Sequence, residues 1–154
     1  MKQHNNKAKI IHILGGGFNQ IPLIKKAKEM GYKVLLTDMN VNPPCKQYAD
    51  YYEQIDITNK QETFSCAEKY KIDYIVTDQT DVAVPTVAFI AEKLGLLGIG
   101  YNTALKFTNK YVMRRALKGK LDEHIPECYY FDDELEAEKF CSGLSTFSDY
   151  VVKP

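Results

Sequence analysis

The chain has 154 residues, 45% of them hydrophobic, with Lys+Arg 20 balanced by Asp+Glu 20 for a formal net charge of +0. That size suits one domain, or one domain with the start of a second, and supplies enough apolar side chain to bury a core. The charge balance argues against a basic nucleic-acid face and a patch for anionic membranes, and a small molecule is the expected partner. Cys45, Cys66, Cys128 and Cys141 are widely spaced, with no CxxC pair and no neighbouring His cluster, and signal neither a metal knuckle nor a disulfide framework. The opening residues are polar rather than signal-like, and no apolar run reaches the ~20 residues of a membrane span, so the cytoplasm is the expected address.

Short apolar runs alternate with helical patterns, the signature of a parallel sheet covered on both faces. Ile10–Leu14 is the first strand. A helix is predicted over 20–30, with Ile21, Ile24 and Ala27 at helical spacing, Pro22 in its first turn and Gly31 as its stop. The second strand is 34–37, and after a turn-rich segment at 40–44 a third falls at 52–57. Thr58 and Gln61 read as a capping box for a helix through Tyr70, with Phe64, Ala67 and Tyr70 on one face. Tyr74–Thr77 is the fourth strand, followed by a helix over Val84–Leu94 with Pro85 in its first turn. Val84, Val87, Ala88, Ala91 and Leu94 form its buried stripe.

A boundary is placed near residue 100. Beyond it the sequence predicts one helix over 102–118, a strand over 127–131, a helix capped by Asp133 with Glu136 and running to Cys141, and a last strand over 150–153. A strand that delivers Lys153 and then stops at Pro154 belongs inside a domain rather than at its end, so the chain is expected to be a piece of a larger protein.

Chemistry concentrates at strand ends. The segment from Ile10 to Gln20 is strand, glycine loop (Gly15, Gly16, Gly17), then helix. Glycines let a ligand approach the backbone, and a helix start offers free N–H groups and a positive dipole end, which suits a phosphate or carboxylate near Gly16, Asn19 and Gln20. The alternative is a tight turn with no ligand. A dinucleotide fingerprint would carry glycine where Gln20 stands. Asp38, ending the second strand, either holds a ribose hydroxyl or polar substrate group or satisfies its own loop. Asp78 follows the fourth strand into the same crevice, and Asp81 reads as a helix cap. His12 reads as a core histidine with a satisfied hydrogen bond, His4 and His124 as tail and surface residues, and Tyr51, Tyr52, Tyr129 and Tyr130 as strand packing.

The ordered set ILGGGFNQ (from Ile13), KVLLTD (to Asp38), YADYYEQIDIT (from Tyr48), DYIVTDQTDVAVPTVAFIAEKLGLLGIG, FTNKYVMRR and the closing YVVKP resembles the amino-terminal part of ATP-grasp superfamily ligases, a group that includes carbamoyl-phosphate synthase, biotin carboxylase and phosphoribosylaminoimidazole carboxylase. The resemblance implies an α/β fold: a Rossmann-like, doubly wound parallel sheet over 1–100, the preATP-grasp domain, followed over 101–154 by a linker helix and an incomplete ATP-grasp lobe. It implies a full-length parent that is a metal-binding ligase using ATP and Mg²⁺, activating a carboxylate as an acyl phosphate for attack by an amine. Lys110 and Lys153 are similar to family lysines that contact ATP, and positive charge suits phosphoryl transfer. Many family members carry Asp where Asn109 precedes Lys110. Gly15, Gly16, Gly17, Asn19, Gln20, Asp38 and Asp78 would line the side that holds a small acid or amine substrate. No catalytic residue and no metal ligand is assigned, no cofactor is expected to stay on this segment alone, which is expected to be inactive, and a homodimer is left open. A nicotinamide- or nucleotide-binding Rossmann module, or a regulatory binding domain, is the competing reading of the same loop.

Overall fold

The computed structural model describes residues 8–143. Strands β1 (Ile10–Leu14), β2 (Lys33–Asp38), β3 (Tyr51–Gln54) and β4 (Tyr74–Thr77) form an all-parallel sheet in the order β3-β2-β1-β4. In register, Leu14 lies between Thr37 of β2 and Thr77 of β4, so three strands finish at one edge. β1 is central, as its unbroken apolar run requires: Ile13 and Leu14 are fully buried.

Helix α1 (Ile21–Glu29) covers one face, where Ile24 and Ala27 meet Ile13, Val34, Leu36 and Cys45. Helices α2 (Lys60–Tyr70) and α3 (Val84–Leu94) cover the other, where Cys66, Ala67, Ile90 and Ala91 pack on Ile10, Leu14, Leu35 and Ile75. The chain therefore leaves β1 toward one face and β4 toward the other, and the switch point of the sheet lies between these neighbouring strands.

Local chemistry moves several boundaries. Asn59, not Thr58, caps α2: its Oδ1 accepts from the N–H of Glu62 at 3.2 Å, while the Thr58 hydroxyl donates to Asp56. β3 stops at Gln54 and the chain turns through Asp56, whose carboxylate accepts from the Thr58 N–H. Asp81 caps nothing; it lies inside a short 3-10 turn that Thr80 precedes. His12 is wholly buried but only half satisfied, with Nε2 3.0 Å from Thr37 Oγ1 and Nδ1 without a partner.

The helix expected over 102–118 is two, α4 (Tyr101–Thr108) and α5 (Lys110–Leu117). Asn109 between them is extended, at φ −99° and ψ 112°, and its Oδ1 accepts from the Val112 N–H, so one residue ends α4 and caps α5. Two compact units divide the chain, Met1–Met113 and Arg114–Pro154. Within the first, Phe89 of α3 meets Tyr101 of α4 edge to face, with ring centroids 5.9 Å apart. In the second, α6 (Glu134–Ser142) is capped as expected, Asp133 accepting from the Glu136 N–H. The segment 127–131 is irregular rather than a strand, because no described strand of this unit is there to pair with it. Tyr129 and Phe131 pack their rings on Phe140 of α6, and the Tyr130 hydroxyl donates to Asp132. The strand expected over 150–153, with Lys153, lies outside the described residues, as does His4.

Candidate functional site

The carboxyl edge of the sheet gathers three loops: Gly15 to Gln20 after β1, Met39 to Asp50 after β2, and Asp78 to Asp81 after β4. Gly15 and Gly16 are buried, and Gly15 requires glycine because its φ is +94°. Asp38, 8% exposed, is spent on the loops. Its Oδ2 accepts from the Gly16 N–H at 2.7 Å, and its Oδ1 accepts from the N–H and the side-chain amide of Asn40, both at 2.8 Å. Of the two readings of Asp38, this is the loop-satisfying one. The carboxylate takes an amide that a ligand anion was expected to use.

The loop after β2 clamps the glycine loop from its other side. Cys45 donates its N–H to the carbonyl of Gly16 at 2.9 Å and its thiol to the carbonyl of Gly17. Burial, with the Asp38 charge adding to it, pushes that thiol up, so Cys45 stays protonated as a donor. A Cβ on Gly16 would stand 2.9 Å from Cβ of Pro43, a contact side chains do not make. Packing against Pro43 by itself therefore leaves Gly16 no room for a side chain. Tyr52 adds its hydroxyl to the carbonyls of Asp38 and Asn40. Sequence reasoning missed Pro43, Cys45 and Tyr52 as supports. The Pro43-Pro44 pair signals a stiff turn, but nothing in the sequence says what that turn touches.

The remaining amides stay available. Among the described residues nothing accepts from the N–H groups of Gly17, Phe18 and Asn19, which lead into α1. Phe18 and Asn19 are exposed, Gly17 half-buried, and Gln20 buried with its side chain turned to the carbonyl of Asp78. Asp78 is half-buried, and the amide of Gln79 donates to its Oδ1 at 3.3 Å. This places a short row of donors and one carboxylate on opposite sides of the switch point. Such a pair can hold a ligand that carries an anion and an amine or hydroxyl. Lys110 is exposed at the start of α5 and bonded to none of these loops. Among the described residues no three His, Cys, Asp or Glu side chains converge as a metal site. No helix among them is long and apolar enough to cross a membrane.

No protein-family model matches the chain. A formate-dependent phosphoribosylglycinamide formyltransferase from Synechococcus sp. is 26% identical over 145 residues, which is 94% of this chain and 36% of that protein. The crystal structure of phosphoribosylglycinamide synthetase from Anaerococcus prevotii superimposes with a TM-score of 0.68 at 27% identity, covering 91% of this chain and 36% of that one. The fold is that of the preATP-grasp region of ATP-grasp ligases. An N5-carboxyaminoimidazole synthetase from Staphylococcus aureus, solved with ADP, shares it at a TM-score of 0.58 and 22% identity, over 74% of this chain and 30% of that one. The chain thus spans about a third of the length of the relatives it matches.

Proposed function

We propose that this chain is the acceptor-binding part of an ATP-dependent ligase that joins a carboxylate to an amine. In this reading a carboxylate oxygen attacks the terminal phosphorus of ATP, releasing ADP and leaving an acyl phosphate. The amine of the acceptor then attacks the acyl carbon, phosphate departs, and the amine loses a proton. The observation that supports this role is the pairing at the switch point: three unpartnered N–H groups on Gly17, Phe18 and Asn19, with Asp78 across from them. Amides and the dipole of α1 favour the phosphate of an acceptor, and a carboxylate favours its amine. A phosphoribosylated amine of the kind named in the relatives has both groups at opposite ends.

Gly15 and Gly16 shape the loop in this reading, and Asp38 holds it. Gly17, Asn19 and Asp78 meet the acceptor. Residues 101–154 are read as the linker helix and opening of the ATP-binding lobe, with Lys110 and Lys153 toward ATP. Cytoplasmic metabolism is the setting this activity implies.

Calorimetry and thermal shift on the chain test the reading directly, with phosphoribosylglycinamide, ribose 5-phosphate, Mg-ATP and NADH as probes. Saturable binding of phosphoribosylglycinamide, weaker for ribose 5-phosphate and reduced in Asp78→Asn, is the expected result, with weak or no response to Mg-ATP. Saturable NADH binding with none of phosphoribosylglycinamide would overturn it in favour of a nicotinamide module.

A further inference from the structure

Gln20 stands where a dinucleotide fingerprint carries glycine, and the structure gives its side chain a task that glycine cannot perform. Although Phe18 two residues earlier is 76% exposed, Gln20 is 5% exposed. It occupies the N-cap position of α1, yet its side chain caps nothing there. Instead Nε2 donates to the main-chain carbonyl of Asp78, 58 residues away, at the start of the loop after β4. The two loops interlock around that bond. A Cβ on Gly17 would come within 3.0 Å of Gln20 Oε1, and one on Gly15 within 3.3 Å of Thr80 Cγ2 and 3.9 Å of Gln20 Cδ. Gly15 and Gly17 thus leave room for Thr80 and for the Gln20 carboxamide.

The loop it reaches is conformationally costly. Gln79, directly after Asp78, has φ +58°, in the left-handed region that non-glycine residues rarely adopt outside sites that over-determine them. No backbone ladder extends past Thr77 to hold the next residues, since β4 ends there and the pairing of Leu14 with Thr77 is the last of its register. The Gln20 bond is a specific tie across that gap, and it crosses the switch point, where α/β sheets of this kind bind their ligands.

We propose that Gln20 is a positioning residue: its carboxamide ties the loop after β4 to the loop after β1 and so fixes Asp78 relative to the free amides of Gly17, Phe18 and Asn19. The consequence for binding rests on the acceptor-site reading above. The tie itself does not. Removing it frees Asp78 to wander, and a ligand that must meet the amides and the carboxylate together loses the benefit of a preset geometry.

The experiment uses Gln20→Met, which keeps length and removes the donor. Backbone ¹⁵N relaxation on the whole chain should show order parameters for residues 78–81 falling from about 0.85 to below about 0.6, with those of β1 and α3 unchanged. Unchanged values in the folded variant would overturn the proposal. Should Gln20→Met fail to fold, the unmodified protein decides: a Gln20 side-chain amide that is ordered and gives contacts to Gln79 or Thr80 protons supports the tie, and a freely rotating one refutes it. Phosphoribosylglycinamide should bind the folded variant about five- to tenfold more weakly than the parent. Equal affinity overturns the positioning role. Loss of loop order, with no binding to the unmodified protein, supports the tie and removes the acceptor-site reading instead.

Discussion

Acidification should unfold this protein through His12 well before its carboxylates titrate. The ring is wholly buried on the central strand, with Nδ1 unpartnered and Nε2 against the Thr37 hydroxyl, and burial pushes its pKa down to about 3. In the unfolded chain the same ring titrates near its ordinary value, about 6.5. Between those values the unfolded chain binds a proton that the folded chain refuses, so this contribution is fully present above 6.5 and is lost as the pH falls toward 3. From pH 7 to pH 5 the loss works out at about 2 kcal/mol, and it depends little on how far below 4 the folded value lies. The depressed carboxylates act lower. Asp50, pushed up by burial but pulled down to about 2 by hydrogen bonds from Lys33, the Val34 N–H and Lys28, loses its contribution below its ordinary value of 3.8. Glu53 is held down by Lys69 and Tyr70, and its window opens only below 4.5. Urea unfolding at pH 7, 6 and 5, on the parent and on His12→Leu, isolates the effect, since the other histidines are common to both. The variant is expected to be less stable at neutral pH, because the Thr37 hydroxyl loses its partner, but to have the flatter pH dependence. Equal slopes for the two proteins would refute the reasoning.

Leu14→Ala, at a fully buried position of β1, should cost about 2 to 5 kcal/mol in chemical denaturation, and a loss under about 0.5 kcal/mol would mean the site collapses without cost. Gly16→Ala should destabilise by about 1 to 3 kcal/mol through the clash with Pro43, without any ligand present; a neutral effect would show that the loop after β2 yields freely. Asn59→Ala should cost about 0.5 to 2 kcal/mol from the lost cap of α2, while Thr58→Ala should cost less; the reverse order would restore Thr58 as the cap.

The element order, the central place of Ile10–Leu14 and the exact span of Val84–Leu94 were legible because they follow from local apolar periodicity and from a proline in the first helical turn. The Asp133 cap was legible for the same reason: it needs only a neighbour three residues away. So was the ATP-grasp resemblance, which is an order of short motifs along the chain. The break at Asn109 was not, because the apolar spacing runs on across it and a single side chain satisfies two helix ends. Nor was the irregular course of 127–131, since a strand needs a partner and no sequence states whether one is nearby. The same holds at the crevice. Glycines after β1, an acid after β2 and an acid after β4 could be placed at one edge from the sequence. Only the packed structure decided that Asp38 serves the Gly16 amide, that Pro43 is what Gly16 makes room for, and that Gln20 reaches Asp78. Those contacts join residues 22, 27 and 58 positions apart, and such pairings are set by how two loops fill space together rather than by any periodicity along the chain.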